Sequence, residues 1–488
     1  MIYTKIENCW LEKVEEYARL TPDALAIVAA GEEATYSELY FAAQAFAEHL
    51  SRLGIREGDE ILCRASNTVS YIIAYCGTLY IKAVFVPLEK NVKRTVLEDI
   101  YNRLERCVLV IGEERDRLDG SLFIGTSDIS GVCKGFPESP YPVPPRDVVS
   151  HILFTTGSTG KSKGVVTTNE QFCECIDFSE ILEFDQSTVN YVYAPVNHYG
   201  FFALFICTLV VGGVGVISQG LVEIKDFFDS LDLYGVNAVY STPSMINYIV
   251  SLADEAALKK MAKQLRSISM AGEKCPASLQ EKLLANFPDS QVVVYYGATE
   301  TGSISHYFVS TYGVKESCVG EHNPEVEIIL KEVEGLEGEY RLCVKTHYCM
   351  KEYYRDPAQT AEIYDGVIMQ TDDRAYFADG QYFVTGRLSD VIISGGYKID
   401  PAEVESIALR HEAVLQCVCV AKPHPILGFV PKLVVSVKEG KTLDKNELLA
   451  ILFDVLEDYK VPREIEVVNG IKSNASGKID RKYYSENK

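Results

Sequence analysis

The stretch "FTTGSTGKSKGVVTTN", Phe154 to Asn169, gathers threonines, serines, glycines and lysines directly after the apolar run Val148 to Phe154. A loop of this kind can wrap polyphosphate, because backbone N–H groups and hydroxyls donate hydrogen bonds while a lysine supplies point charge. The alternative is a Walker A loop, G-x-x-x-x-G-K-[ST], the mark of a P-loop phosphotransferase. Counting back from Gly160 puts Thr155 where the first glycine belongs, and "GVVTT" reads as a strand where a helix is required. Walker A therefore fails twice. On its own the loop is also compatible with an ordinary surface connection.

Three further stretches follow it in order: "YYGATETG" from Tyr295 to Gly302, "TDDRAYFADGQYFVTGRLSDVIISGGYKIDPAEVE" from Thr371 to Glu405, and "SNASGKIDRK" from Ser473 to Lys482. With "FTTGSTGKSKGV", they resemble the ordered motifs of the adenylate-forming superfamily: acyl-CoA synthetases, adenylation domains of nonribosomal peptide synthetases, and firefly luciferase. The four motifs span nearly the whole chain. The resemblance implies a two-step reaction, in which a carboxylate attacks the α-phosphate of ATP to give acyl-AMP and pyrophosphate, and a thiol then displaces AMP.

The resemblance also implies a role for each matching residue. Thr155, Thr156, Ser158, Thr159, Gly160 and Lys161 would cradle the β- and γ-phosphates. Thr299 would bond the α-phosphate, Glu300 would hold Mg²⁺, and Tyr296 would stack on adenine, with Gly297 and Ala298 beside the nucleotide. A carboxylate oxygen suits so hard a cation. Asp373 would accept the ribose hydroxyls, as an acceptor-only carboxylate can, and Arg387 would reach the same sugar. Lys478 would meet the carboxylate and α-phosphate during adenylation. The hinge would lie at Ser389 or Asp390, and "SGGYK", with Ser394, Gly395 and Gly396, would pass a pantetheine thiol. Two positions depart from the family: Asp372 stands where T-G-D has glycine, and Ser389 where the hinge usually has Asp or Lys.

The acid is read from "PVNHYGFF", which resembles the P-x-x-H stretch of acyl- and aryl-CoA synthetases and makes His198 a gate or lining residue. Phe201, Phe202, Tyr240, Ala271, Gly272 and Tyr295 are the wall candidates by motif position. Several bulky aromatics favour a short or aromatic acid over a long chain. "FDQS", Phe184 to Ser187, looks like the amino-acid-binding F-D-x-S of peptide synthetases but precedes the strand "TVNYVYAPV" that it should follow, so Asp185 reads as a loop residue. "MAGEKC" resembles carrier-loading relatives more than CoA ligases. The expected thiol is thus free coenzyme A, or else the phosphopantetheine of a separate carrier protein, since no carrier domain follows Lys482. The expected cofactors are ATP and Mg²⁺. A degenerate relative that binds nucleotide without catalysis is a further reading.

These residues must be positioned by a large fold. The 488 residues exceed one ordinary core. Hydrophobic content of 47% and charged content of 24% are ordinary globular values, and a net charge of −22 argues against a nucleic-acid partner. The fourteen cysteines include no C-x-x-C pair and read as buried thiols. The N-terminus has no apolar signal region, which suggests a cytoplasmic protein. "FFALFICTLVVGGVGVI", Phe201 to Ile217, is short for a membrane span and reads as a buried helix turning into a buried strand.

Thr35 and Glu38 form a capping signal before a helix that Gly54 ends. From there "EILCR", "VFVPL", "VGVIS", "VNAVYST", "SISMAG" and "QVVVYYG" alternate with helical stretches, the pattern of a parallel α/β fold. About 310–387 the texture becomes shorter and β-rich, with "ADGQ" as a hairpin turn. The expectation is an α/β N-terminal domain over 1–387, including the β-rich subdomain, and a small mobile α+β domain over 388–488.

Overall fold

A computed structural model describes residues 6–133, 136–156, 162–219, 224–333, 338–472 and 479–486. The chain forms two compact units, the first made of 1–315, 319–328 and 344–369, the second of 316–318, 329–343 and 370–488.

The first unit holds two sheets. One has seven strands in the order Glu352–Tyr353, Ser162–Thr168, Val149–Thr156, Val84–Leu88, Glu60–Arg64, Cys107–Gly112 and Leu122–Gly125. Within this unit the other places side by side, in order, Gly302–Phe308, Gln291–Ala298, Ser267–Met270, Ala238–Ser241, Val189–Val192, Val214–Ile217, Leu25–Ala29 and Glu32–Thr35. The alternating pattern in the sequence is realised as parallel pairing through the middle of both. The sheets are nevertheless mixed. Val149–Thr156 pairs antiparallel with Ser162–Thr168, and Gln291–Ala298 pairs antiparallel with Gly302–Phe308. Both departures fall where a chemistry-bearing stretch turns back on itself, since a short return can join only antiparallel neighbours.

Local signals are realised closely. The Thr35 hydroxyl accepts the Glu38 N–H at 3.1 Å and the Glu38 carboxylate accepts the Thr35 N–H at 2.8 Å, a complete capping box on the helix Tyr36–Arg52. The segment considered as a membrane span is the helix Tyr199–Leu209 followed by the strand Val214–Ile217. No helix among the described residues is long and apolar enough to cross a membrane. All fourteen cysteines are free thiols, and only Cys107 and Cys133 are less than buried.

In the second unit Met369–Ala378 and Gln381–Arg387 form a hairpin whose turn residues Asp379 and Gly380 have φ of 52° and 78°. Two left-handed residues make the tight turn that matches strand twist. Farther on, Ile392–Ser394, Gly428–Val437, Val414–His424 and Glu464–Val468 share a sheet covered by the helices Pro401–Ala408 and Lys445–Val455. Ile399, Val404, Leu433, Leu448 and Leu452 form its core.

The helices Tyr36–Arg52 and Val69–Tyr80 pack so closely that a β-carbon on Gly77 would lie 2.8 Å from Phe46 Cδ1 and 2.9 Å from the Ala43 carbonyl oxygen. A backbone oxygen cannot step aside as a flexible side chain can. Gly77→Ala gains about 1 kcal/mol of helix propensity, against an overpacking cost of about 1–3 kcal/mol. The expected outcome is a net loss of up to about 2 kcal/mol, seen as a lower denaturant midpoint.

Candidate active site

The phosphate-loop motif is carried by a β-hairpin. Thr155 lies opposite Lys163, and Thr156 opposite Ser162. Ser158, Thr159, Gly160 and Lys161 fall in 157–161, outside the described residues. Lys163, next in line, places its ammonium 5.0 Å from the centroid of the Tyr353 ring.

That tyrosine leads to the second motif. The Tyr353 hydroxyl donates to Glu300 Oε1 at 2.9 Å, while the Met350 N–H donates to the Glu300 carbonyl at 2.7 Å. Glu300 is thus held by side chain and backbone from one segment, and its carboxylate is bonded by a neutral hydroxyl. The turn it sits on is tight. A β-carbon at Gly297 would fall 2.3 Å from the Gly302 carbonyl oxygen, and Gly302 has φ of +68°. Both positions demand glycine. Among the described residues no group of three or more His, Cys, Asp or Glu is arranged to hold a metal ion. One carboxylate with phosphate oxygens fits Mg²⁺, which keeps several waters and is rarely caged by protein alone.

The turn also rests on a buried polar layer. Gln171 Nε2 donates to the Thr299 carbonyl at 2.8 Å. Glu174, 2% exposed, accepts the Ser303 N–H on both carboxyl oxygens, at 3.1 and 3.3 Å, and the Tyr199 hydroxyl on Oε1. Burial pushes the Glu174 carboxyl up to about 8, against the lowering effect of the bonds from Tyr199 and Ser303.

The residues read from the sequence as ribose ligands lie in the second unit. Asp373 and Arg387 face each other across the hairpin, with Arg387 Nε 3.5 Å from Asp373 Oδ1. Asp373 N–H donates to Thr371 Oγ1 at 3.1 Å, and that hydroxyl donates to the Leu342 carbonyl at 2.7 Å. The two departures from the family pattern meet here: the Ser389 hydroxyl donates to the Asp372 carboxylate, and the Leu388 N–H to the Asp372 carbonyl at 2.7 Å. Asp372 lies in extended strand and not in the left-handed region, so it replaces glycine without backbone strain. Beneath them, buried Arg374 pairs with Glu339 and with Asp400, each at 2.7 Å.

The acid-pocket candidates all fall in the first unit. His198 is the half-buried N-cap of the helix Tyr199–Leu209, and Tyr240 sends its hydroxyl over Gly200, where a β-carbon would come within 2.4 Å. Ala271 and Gly272 follow the strand Ser267–Met270, Gly272 with φ of +90°. Tyr295 packs edge-on against Phe178 at 5.0 Å. Phe201 and Phe202 are buried in the same core as Tyr240 and Tyr295, Phe201 stacked on Phe205 at 5.1 Å and Phe202 against Tyr75 and His151 at 4.9 and 5.0 Å. Asp185 is a loop residue, its carboxylate accepting the Ser187 N–H at 2.8 Å.

Residues 14–354 match the model of the AMP-binding enzymes, and residues 403–478 match that of their C-terminal domain. The chain belongs to the AMP-binding enzymes. A feruloyl-CoA synthase of Amycolatopsis sp. is 27% identical over 95% of this chain and 95% of its own length. A 2-succinylbenzoate–CoA ligase of Bacillus velezensis is 27% identical over 96% of each. In three dimensions, ATP-bound MatB from Rhodopseudomonas palustris superposes with a TM-score of 0.87 at 21% identity, covering 97% of this chain and 99% of that one. The o-succinylbenzoate coenzyme A synthetase of Bacillus subtilis with ATP and magnesium gives 0.82 at 22% identity, covering 96% and 98%. The α/β architecture is therefore shared with these two enzymes.

For this AMP-binding enzyme, Ser394 ends a strand whose turn residues Gly395 and Gly396 are both left-handed, with φ of 57° and 93°. Asp390 Oδ2 is 3.9 Å from Arg481, which also pairs with Glu405 at 2.6 Å. Lys478 lies outside the described residues. Sequence reasoning passed over Tyr353, Gln171 and Glu174. Only Glu174 carried a signal, as an acid set among the apolar residues of "FCECIDF".

An acid whose pKa is raised in the native state favours folding below its unfolded value, and that stability is lost as pH rises through the folded value. Between about pH 4.5 and 8 the wild type should lose stability relative to Glu174→Gln, by up to about 1.4 kcal/mol per pH unit. Denaturant midpoints of both proteins at pH 5 and pH 8 check this.

Proposed function

We propose that this AMP-binding enzyme is an ATP-dependent acid–thiol ligase that forms acyl-AMP and pyrophosphate and then transfers the acyl group to coenzyme A. The observation that carries the reading is Tyr353, which joins Lys163 of the phosphate-loop hairpin to Glu300. The loop suited to the β- and γ-phosphates and the carboxylate suited to the cation thereby belong to one site. The full-length relatives named as CoA ligases support the thiol.

In the first step a carboxylate oxygen of the acid bonds to the α-phosphorus as the bond to the pyrophosphate oxygen breaks. Negative charge grows on the α-phosphate and on the leaving group, and donors fixed in advance are worth most there. Thr299 bonds the α-phosphate, while Thr155, Thr156, Ser158, Thr159, Gly160 and Lys161 hold the departing phosphates. Mg²⁺ held by Glu300 would supply charge neutralisation on the phosphate oxygens. Tyr296, with Gly297 and Ala298, receives the adenine, and Asp373 and Arg387 the ribose. Lys478 neutralises charge between carboxylate and α-phosphate. In the second step the thiolate sulfur of coenzyme A bonds to the acyl carbon and AMP leaves with the bonding pair. Ser394, Gly395 and Gly396 line the thiol's approach, and Ser389 with Asp390 forms the hinge of a mobile domain over 388–488.

His198, Tyr240, Ala271, Gly272 and Tyr295 line the acid's pocket, with Phe201 and Phe202 as the packed layer that limits its depth. A short or aromatic acid fits such walls. A cytoplasmic location agrees with the use of ATP and coenzyme A.

Carboxylate-dependent ATP–pyrophosphate exchange without any thiol, across short-chain, aromatic, long-chain and amino acids, tests the reading. Exchange with a short or aromatic acid, followed by acyl transfer to coenzyme A, is expected; transfer only to a pantetheinylated protein would overturn the thiol assignment. Lys478→Ala should lose ~10²–10³ of the exchange rate while still binding ATP. Unchanged exchange in that variant would remove the lysine from the first step.

A further inference from the structure

Two halves of the proposed reaction are carried by elements far apart in sequence. The turn Ala298–Gly302 bears Thr299 and Glu300, and the helix Tyr199–Leu209 starts just after His198. A displacement attack needs the acid oxygen and the phosphorus held about 3–3.5 Å apart and in line, and errors near 1 Å cost ~10²-fold. Some physical link must set one element against the other.

We infer that Gln171, Glu174 and Tyr199 form a positioning bracket that fixes the Thr299–Glu300 turn against the first turn of the acid-pocket helix. The link is continuous. Gln171 Nε2 holds the Thr299 carbonyl at 2.8 Å, Glu174 holds the Ser303 N–H, and the Tyr199 hydroxyl bonds Glu174 and lies 3.4 Å from the Gln171 carbonyl. The bracket therefore takes the turn on both sides of Glu300 and returns to the residue after His198. Its members are buried: Gln171 at 0%, Glu174 at 2% and Tyr199 at 9% exposure.

Two observations separate this from incidental core polarity. Gln171 Oε1 is buried without a hydrogen-bond partner, so the amide gives up its own acceptor to keep its donor on Thr299, and an orphaned buried acceptor is costly. Gly302 leaves only 2.9 Å between its virtual β-carbon and Glu174 Oε2. Any larger residue there would push the carboxyl off Ser303.

The groups facing Glu174 are Tyr199, Asp177, Cys175, Tyr295, Tyr348 and Cys349. None of these is a cation, so among the described residues an ionised Glu174 has no counter-charge and the bracket works with a neutral carboxyl. Gln at this position keeps an acceptor for Ser303 and a polar partner for Tyr199. It reproduces the neutral state.

The inference rests on the proposed adenylation chemistry, and the test separates the two. ATP–pyrophosphate exchange and amide hydrogen exchange of the turn are measured for wild type, Glu174→Gln, Glu174→Ala and Tyr199→Phe, with cooperative unfolding confirming the fold of each. Glu174→Ala should lose about 10- to 100-fold in kcat with KM for ATP changed less than about threefold, and should expose the 299–303 amides to faster hydrogen exchange. Glu174→Gln should stay within about threefold of wild type at pH 7 and hold its rate above pH 8, where the wild type declines. Tyr199→Phe should fall between them. A folded Glu174→Ala with wild-type kcat, or a Glu174→Gln as impaired as Glu174→Ala, overturns the bracket. If the wild type shows no exchange with any acid, the adenylation reading falls, and the hydrogen exchange still decides: unchanged protection of 299–303 in Glu174→Ala refutes the bracket, and lost protection upholds it.

Discussion

A carboxylate can be held firmly without a cationic partner, and the bond from Tyr353 holds Glu300 in that way. A hydroxyl donor restricts the side chain while leaving its charge in place, which an arginine or lysine partner would not. The backbone bond from Met350 closes the same grip. Because Tyr353 lies on the short edge strand beside Ser162–Thr168, the phosphate-loop hairpin and the Glu300 turn are placed by one residue.

The sheets serve this arrangement. Parallel strands buried on both faces supply a stiff platform, and the stretches Phe154 to Asn169 and Tyr295 to Gly302 leave it through antiparallel returns. Close glycines make the second return possible, since Gly297 and Gly302 bring backbone to within a distance no side chain allows. The polar layer of Gln171, Glu174 and Tyr199 lies beneath it. An apolar layer could fill the same volume, yet it would leave the Thr299 carbonyl and the Ser303 N–H without partners, a debt that buried polar groups settle only through well-aimed bonds.

The second unit shows how a departure from a family pattern can be absorbed. Asp372 and Ser389 look like two separate losses when read along the chain, one of a glycine and one of a charged hinge residue. Folded, they bond to one another across the hairpin end. The extended backbone at Asp372 shows why glycine was dispensable there: its freedom matters only where φ is positive.

By itself the sequence determined the order of α and β elements, the capping box at Thr35, the hairpin at Asp379–Gly380, the buried helix and strand from Phe201 to Ile217, and the four ordered motifs. These are local: they depend on periodicity, on turn chemistry and on residues a few positions apart. The tertiary structure decided the rest. Glu300 meets Tyr353 across 53 positions and Thr299 meets Gln171 across 128, and no periodicity reports such pairings because strand order sets them. It also decided that Phe201 stacks on Phe205 and that Phe202 meets Tyr75 and His151, contacts that motif position alone does not report. Glu174 was legible as an oddity among apolar neighbours; that it faces Ser303 and Tyr199 follows only from how the helix is laid against the sheet.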